Sequence, residues 1–413
     1  MTTASIFNYF RKAPSQTIAS PSKLDIGYAI YNGITKAQHI SYHQMFSLYT
    51  NFPTTYHLNT NKPLKNITLT HPELIAFEKE YDELLSCKTD QSFEKIAKIF
   101  EAVHQNIDNI ELHQWMVGEI LAKALAIIPL EKGQLITIPV VTQDKQRKMV
   151  TFEVDQCFDM GHGIPAYGLK PQSAHGFHWN NGWPSYGSYP KDGIQAAPIL
   201  LFRGTDFCVK TETAKKSIAI NFDPKGAGLS LFEETKNLIG EWLKRVTTSS
   251  QKARVMGYSQ GGAFAQYTVI HHNTFISNLS NEPSMIFNAP GVSKTLLKQW
   301  GEISEDQKPL LISLIPSQDP VTQFGFLIGN AFQFNPKKPM SLTNAHFPLM
   351  LFQPSYSIVT LDTEKENTSS RRHHFTKFQT ELDPKITEAV KTSLDKLGKS
   401  HYGGVQNKVS KNC

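Results

Sequence analysis

Long apolar runs are missing from this 413-residue chain. None of its segments approaches the roughly 20 consecutive apolar residues that a membrane-spanning helix needs. The opening stretch, Met1 to Ser15, has Arg11 and Lys12 as its charged residues and no apolar core of the kind a cleaved secretion signal carries. The expectation is therefore a soluble or peripheral protein, cytoplasmic or exported without a cleaved signal. Cysteine is scarce as well. Cys87, Cys157, Cys208 and Cys413 are far apart and form no C-x-x-C pair, and His162, near Cys157, lacks the further ligands that a metal site requires. Reduced thiols are the default, with disulfide pairing left open for an oxidising compartment. Charge of one sign is not concentrated: 42 basic and 36 acidic residues leave a formal charge of +6 dispersed along the chain. The absence of a basic block argues against nucleic acid as a partner, while the mild excess leaves a peripheral contact with an anionic membrane surface open. Internal repeats and low-complexity tracts are absent too, and nothing in the sequence sets an oligomeric state.

What is present is an ordinary globular composition, 40% hydrophobic and 19% charged, in a chain long enough for one large domain plus an accessory segment. The first 50 residues mix Ser, Thr, Pro and Tyr without a sustained period and read as an irregular arm. From Pro72 to Leu130 apolar residues recur at helical spacing: Leu74, Phe77, Tyr81, Leu84 and Leu85, then Ile96, Ile99, Phe100 and Val103, then Trp115, Val117, Ile120, Leu121, Ala124 and Leu125. Residues 1–130 are thus expected to form an arm and a helical accessory region, and residues 131–413 the main domain. Gln134 to Val141 and Lys148 to Val154 read as a hairpin around the polar turn Gln143-Asp144-Lys145-Gln146. Residues 157–195, rich in Gly, His, Trp, Tyr and Pro, read as a long functional loop.

Beyond that loop, short apolar strands alternate with longer helical patterns, which predicts an α/β fold with a mostly parallel sheet flanked by helices. Ala197 to Phe202, Arg254 to Met256, Ser284 to Phe287 and Leu310 to Ile315 are the strands, followed by a strand-like run from Phe324 to Phe334. Ser230 to Val246 is a helix with an apolar stripe that includes Leu238, and Ser230 with Glu233 predicts its capping box. Gly261 to Ile270 is a second helix.

Gly257-Tyr258-Ser259-Gln260-Gly261 fits G-x-S-x-G and lies between a predicted strand and a predicted helix, the context in which that pattern presents a nucleophilic serine. Glycines are needed there because side chains two positions either way would meet neighbouring backbone. A serine hydroxyl needs a histidine to take its proton and a carboxylate to orient that histidine. Asp319, just after the strand ending at Ile315, is the candidate acid. His346, in Asn344-Ala345-His346-Phe347-Pro348, is the candidate base on chain order, with His373 and His374 beside Arg371-Arg372 as competitors read as solvated surface. Phe202-Arg203-Gly204-Thr205 closes the first strand. There Gly204 lets the chain turn so that Thr205 can join the Gln260 N–H as a donor to a developing oxyanion.

Five stretches, in the same order, resemble the class 3 lipases, the α/β-hydrolases of the fungal triacylglycerol lipase type. They are Ile199 to Thr205, Gly228 to Phe232, Gly257 to Ala263, Phe287 to Val292 and Gln318 to Val321, and together they cover about residues 197–350. The resemblance implies an α/β-hydrolase with Ser259 as nucleophile, Asp319 as acid, His346 as base, and Thr205, Gly204 and Gln260 at the oxyanion hole. It implies a lipid-like ester as substrate and no metal or organic cofactor. Phospholipase, thioesterase or acyltransferase chemistry on the same fold, and a non-catalytic lipase-like interaction protein, are the rival readings. The sequence departs from the family pattern at Tyr258 and Gln260, where His and Leu are common. It departs again at Asp206 to Lys210, where a Ser and a Trp-Asp motif often follow the oxyanion turn. Residues 206–227 offer few large apolar side chains for a lid: Phe207, Val209, Ile218, Ile220 and Phe222.

Overall fold

Every residue of the strand Ile199–Phe202 is apolar and buried, and the four sort by parity into two separate cores. Because successive side chains in a strand point to opposite faces, such a strand must be covered on both sides. Ile199 and Leu201 join one core, Leu200 and Phe202 the other. The same split runs through the next three strands: Tyr258, Phe287 and Leu314 face the first core, and Val255, Ile286 and Leu311 the second. The structure, a computed structural model, describes residues 29, 33, 56–85, 92–180, 183–191, 194–206, 211–248, 251–317, 319–337, 346, 349–380 and 385–402.

The strands are β1 (Lys65–Thr68), β2 (Leu135–Val141), β3 (Arg147–Asp159), β4 (Pro165–Pro171), β5 (Ser173–Asn180), β6 (Trp183–Pro190), β7 (Ile199–Phe202), β8 (Arg254–Tyr258), β9 (Ser284–Phe287), β10 (Leu311–Pro316), β11 (Asn330–Pro336) and β12 (Ser355–Thr360). Ten of them form one sheet in the order β1-β12-β11-β10-β9-β8-β7-β4-β3-β2. β7 to β11 are mutually parallel, whereas β12 and β1 on one side and β4, β3 and β2 on the other pair antiparallel. The fold is α/β, with a mixed sheet rather than the mostly parallel one expected. β2, β3 and β4 follow one another through short connections, as antiparallel neighbours can, whereas β1 reaches β12 from the opposite end of the chain.

The first core is closed by α1 (Pro72–Leu85), α2 (Ser92–Asn106) and α3 (Ile110–Glu119). In α2 the buried Ile96, Ile99, Phe100 and Val103 follow the predicted stripe. Asn109 caps α3 by accepting the Leu112 N–H at 2.9 Å. Past Glu119 the helix widens into a π turn over Ile120–Ala124 before ending at Ile127. The second core is closed by α5 (Leu229–Val246), α6 (Gln260–His271) and α7 (Lys294–Glu302), with α4 (Glu212–Ala219) between β7 and α5 in sequence. The C-terminal part adds α8 (Thr363–Asn367), α9 (Ser370–Thr380) and α10 (Ile386–Tyr402).

Four local expectations change. The stretch 157–195 is largely strand: β3 runs on to Asp159, β4 bridges β3 and β7, and β5 pairs with β6 as a separate hairpin. Asn181-Gly182 stands between those hairpin strands in the sequence, a dipeptide that hairpins favour. The capping box at Ser230 and Glu233 does not form. Gly228, at φ +70°, ends the preceding turn, α5 starts at Leu229, and the Ser230 N–H goes to Asp223 Oδ2 at 2.8 Å. Leu238, assigned to the apolar stripe of that helix, is exposed. The strand expected from Phe324 is confined to Asn330–Pro336, because a short helical turn occupies Val321–Gln323 and Gly325 and Gly329 both take positive φ. The N-terminal arm lies outside the described residues apart from Ala29 and Gly33. Among the described residues no helix is long and apolar enough to cross a membrane. Cys157 is an exposed free thiol, and the other cysteines lie outside the described residues.

His113 on α3 is fully buried, with neither ring nitrogen hydrogen-bonded and its ring edge-on to His104 at 6.0 Å. Burial first, then the nearby charges of Arg147, His104 and Arg254, lowers its pKa from 6.5 to about 4. The folded state thus holds this ring neutral, so its contribution is fully present above pH 6.5 and is lost as the pH falls towards 4. The expected loss is about 3 kcal/mol. Urea unfolding of wild type and His113→Phe at neutral and mildly acidic pH should show a clearly smaller acid loss in the variant.

Candidate active site

β8 lies inside the parallel part of the sheet, with β7 and β9 on either side, and its C-terminal end runs straight into α6. The single residue between strand and helix is Ser259, at φ 54° and ψ −123°, a conformation that L-residues rarely adopt. The local sequence permits it by removing side chains. A Cβ on Gly257 would sit 2.2 Å from the Gly261 carbonyl oxygen, and one on Gly261 would sit 2.5 Å from the Phe202 carbonyl oxygen. The turn is held by main-chain bonds from Ser259 N–H to the Phe287 carbonyl at 2.9 Å and from Gly262 N–H to the Ser259 carbonyl at 2.9 Å. Gln260, the first helical residue, has no intrahelical acceptor for its own N–H, which stands at the positive end of α6.

His346 reaches this serine from the far part of the chain. Its Nε2 is 2.9 Å from Ser259 Oγ, and its Nδ1 is 2.8 Å from Asp319 Oδ2. A carboxylate accepts only, which assigns the proton to Nδ1 and leaves Nε2 to accept from the serine hydroxyl. Asp319 follows β10 and is fully buried. Its Oδ2 also accepts from Asn288 Nδ2 at 2.9 Å, and its Oδ1 accepts from the Val321 N–H at 2.9 Å. Asn288 ends β9 with a positive φ of 51°, a conformation that Asn tolerates better than most residues. Tyr258 donates its hydroxyl to the His346 carbonyl at 2.9 Å, and burial pushes its phenol pKa well up, keeping the hydroxyl a donor. His373 packs edge-on against Phe326 at 5.3 Å on α9, away from the contacts that His346 makes. Arg372, expected at the surface, is fully buried, and its guanidinium donates to the carbonyls of Thr322 and Gly325 in the loop after Asp319.

Gly204 turns the chain at the end of β7. A Cβ there would meet Tyr258 Cδ1 at 2.7 Å. The next residue, Thr205, is buried and accepts from Asn221 Nδ2 at 2.9 Å, so its own O–H remains able to donate. The Gln260 side chain donates from Nε2 to the Ser217 carbonyl at 3.0 Å and to Asn221 Oδ1 at 2.9 Å. It also accepts the Ser217 hydroxyl at 3.2 Å. It therefore ties α4 and the turn after it to the start of α6. Of the apolar candidates in 206–227, Ile218 is buried and Ile220 packs against the second core, while Phe207 and Val209 lie outside the described residues.

Asn288, Asn221 and Ser217 were not singled out from the sequence. Only Asn288 carried a signal, an Asn directly after a strand. Among the described residues no cluster of His, Cys, Asp and Glu is arranged to hold a metal ion.

No family model matches the chain, and no curated protein does. Among solved structures it is similar to lipase II from Rhizopus niveus, at 17% identity over 50% of this chain and 70% of that one, with a TM-score of 0.29. It is also similar to the native Rhizomucor miehei lipase propeptide complex, at 14% identity over 65% of this chain and 77% of that one, with a TM-score of 0.34. Likenesses this distant carry no argument about activity.

Gly257→Ala should destabilise the protein by about 3 kcal/mol or more, because backbone must move to admit the methyl group. Gly301→Ala on α7, where a Cβ meets nothing within 4 Å, should be neutral or slightly stabilising. Equilibrium unfolding of the two variants beside wild type measures the contrast.

Proposed function

We propose that this protein is a serine hydrolase that cleaves carboxylic esters through an acyl-enzyme, with Ser259 as nucleophile, His346 as base and Asp319 as the residue that orients it. The observation that carries this reading is the continuous set of contacts from Ser259 Oγ to His346 Nε2 at 2.9 Å and from His346 Nδ1 to Asp319 Oδ2 at 2.8 Å, on a serine held in a strained turn at a helix N-terminus.

In the first half-reaction His346 Nε2 takes the Ser259 proton as Oγ bonds to the ester carbonyl carbon. The imidazolium then returns that proton to the departing alcohol oxygen as the ester C–O bond breaks. In the second, a water molecule loses its proton to the same nitrogen and attacks the acyl carbon. Ser259 leaves with the proton and the carboxylic acid is released. Asp319 holds the Nδ1–H tautomer throughout. The Gln260 N–H and the Thr205 N–H and hydroxyl, after the turn at Gly204, are the donors proposed for the oxyanion. The Asn221 contact supports this by leaving the Thr205 hydrogen unused. A lipid-like acyl chain is the substrate class that the motif resemblance to class 3 lipases implies. This chemistry calls for no metal or organic cofactor.

Hydrolysis of short- and long-chain p-nitrophenyl esters, together with labelling by a fluorophosphonate probe, tests the reading. Wild type should turn over ester and label at Ser259. Ser259→Ala and His346→Ala should lose turnover while remaining folded. Thr205→Ala should lower kcat by about two to three orders of magnitude. A wild type inert to both ester and probe would refute the reading and favour an interaction protein.

A further inference from the structure

Beside Tyr258, on the sheet face that the N-terminal helices cover, lies an ion pair with no solvent exposure. Lys123 Nζ is 3.0 Å from Glu119 Oε1, with both side chains fully buried. Burial of this kind is costly, and a matched apolar pair is often the more stable alternative, so stability alone gives little reason for two charges here. Their other contacts supply one. Glu119 Oε1 accepts the main-chain N–H of Met350 at 2.6 Å, and Glu119 Oε2 accepts that of Leu351 at 2.8 Å. These amides belong to the segment just after His346. Lys123 Nζ lies 5.2 Å over the centroid of the Tyr258 ring, and the Tyr258 hydroxyl holds the His346 carbonyl at 2.9 Å. The Tyr258 and His346 rings are themselves 5.3 Å apart, centroid to centroid.

The pair is in turn fixed to the N-terminal helices. Lys123 sits in the π turn after α3, a widening often found at functional sites, and its carbonyl accepts the Tyr81 hydroxyl from α1 at 2.9 Å. Burial pulls the Lys123 pKa down, while Glu119, by charge and hydrogen bond, and the charge of Asp319 hold it up. The ammonium thus belongs to the same buried electrostatic group as the acid that contacts His346.

We propose that Glu119 and Lys123 are positioning residues for His346, with Glu119 anchoring the main chain that follows it and Lys123 bracing the tyrosine that holds its carbonyl. This inference rests on the proposed function for its kinetic consequence, but its structural content does not depend on any substrate. A displacement of about 1 Å at a proton-transferring group can cost about a hundredfold in rate, so a loosened anchor should appear in kcat before KM.

The test uses the full chain in two variants. Glu119→Gln/Lys123→Met removes both charges together and leaves no unpaired buried ion. Glu119→Asp keeps the charge but withdraws the carboxylate from the two amides, and serves where the double variant does not fold. The direct readout is the low-field proton resonance of the His346 Nδ1–H, assigned by its loss in His346→Ala. The second readout is steady-state ester hydrolysis. In folded variants the resonance should broaden or disappear, and kcat should fall about ten- to a hundredfold with KM within about twofold of wild type. An unchanged resonance with unchanged kcat would overturn the proposal, as would a wild type that lacks the resonance. A wild type that has the resonance but cleaves no ester, with variants that lose the resonance, would support the positioning role while refuting ester hydrolysis.

Discussion

The geometry around Ser259 depends on how closely backbone can approach backbone at the end of β8. With Gly257 stacked on the Gly261 carbonyl and Gly261 on the carbonyls of Phe202 and Arg203, strand, turn and helix meet at separations that no Cβ would permit. That contact brings the helix N-terminus directly behind the serine, and it brings the end of β7 with Gly204 and Thr205 alongside. Parallel order does the rest. Because β7, β8, β9 and β10 run the same way, their C-terminal ends fall on one edge of the sheet. Thr205, Ser259, Asn288 and Asp319, which follow those four strands, are therefore gathered on that edge although more than a hundred residues of sequence separate the first from the last.

Gathering polar groups inside a protein is unfavourable unless each finds a partner. Asp319 meets this condition with His346, Asn288 and the Val321 amide, and its loop is secured from outside by Arg372, which donates to the Thr322 and Gly325 carbonyls and lies 3.6 Å from Glu366. Thr205 meets it through Asn221, and Asn221 through Gln260. Asp319, which contacts His346, and Thr205, at the end of β7, are thus each held by a further residue from another part of the chain. The position of His346 is thus held by several contacts, with Asp319 on Nδ1, Ser259 on Nε2 and the Tyr258 hydroxyl on the main-chain carbonyl.

The parts of this arrangement legible in the sequence are those written in a few consecutive residues. The G-x-S-x-G turn between strand and helix, the acid after an apolar strand and the Gly-Thr closing an earlier strand are local patterns with local physical reasons. The parts that were not legible depend on distant partners. Glu119 and Lys123 have the spacing of a solvated helical ion pair, and although the run from Trp115 to Ile128 is otherwise apolar, nothing in it names the amides and the ring that the two charges meet. Arg372 stands in a run, Arg371-Arg372-His373-His374, whose composition suggests surface, yet its carbonyl acceptors lie about fifty residues earlier. Asn221 and Gln260 gain meaning only when α4 lies against the start of α6. Of the antiparallel wings, β2 and β3 are legible as a hairpin, whereas β4 is not: strand pairing is made by main chain, and a stretch rich in Gly, Pro and aromatic residues can still lie in a ladder.

Sequence order separates the N-terminal helices from the residues around Ser259, but packing does not. Met256, Tyr258, Met285, Phe287 and Leu314 point from the centre of the sheet towards α1, α2 and α3 and share one core with Leu74, Phe100 and Trp115. Were that face polar, a helical accessory layer could be shed with little consequence. Being apolar, it would expose the backs of β8 and β9 to water, at roughly 25 cal/mol for each Å² of apolar area uncovered. Tyr258 makes the connection explicit, since its ring is part of that core while its hydroxyl holds the carbonyl of His346. The helices that come early in the chain are thus a structural wall behind Ser259 and His346, which come much later.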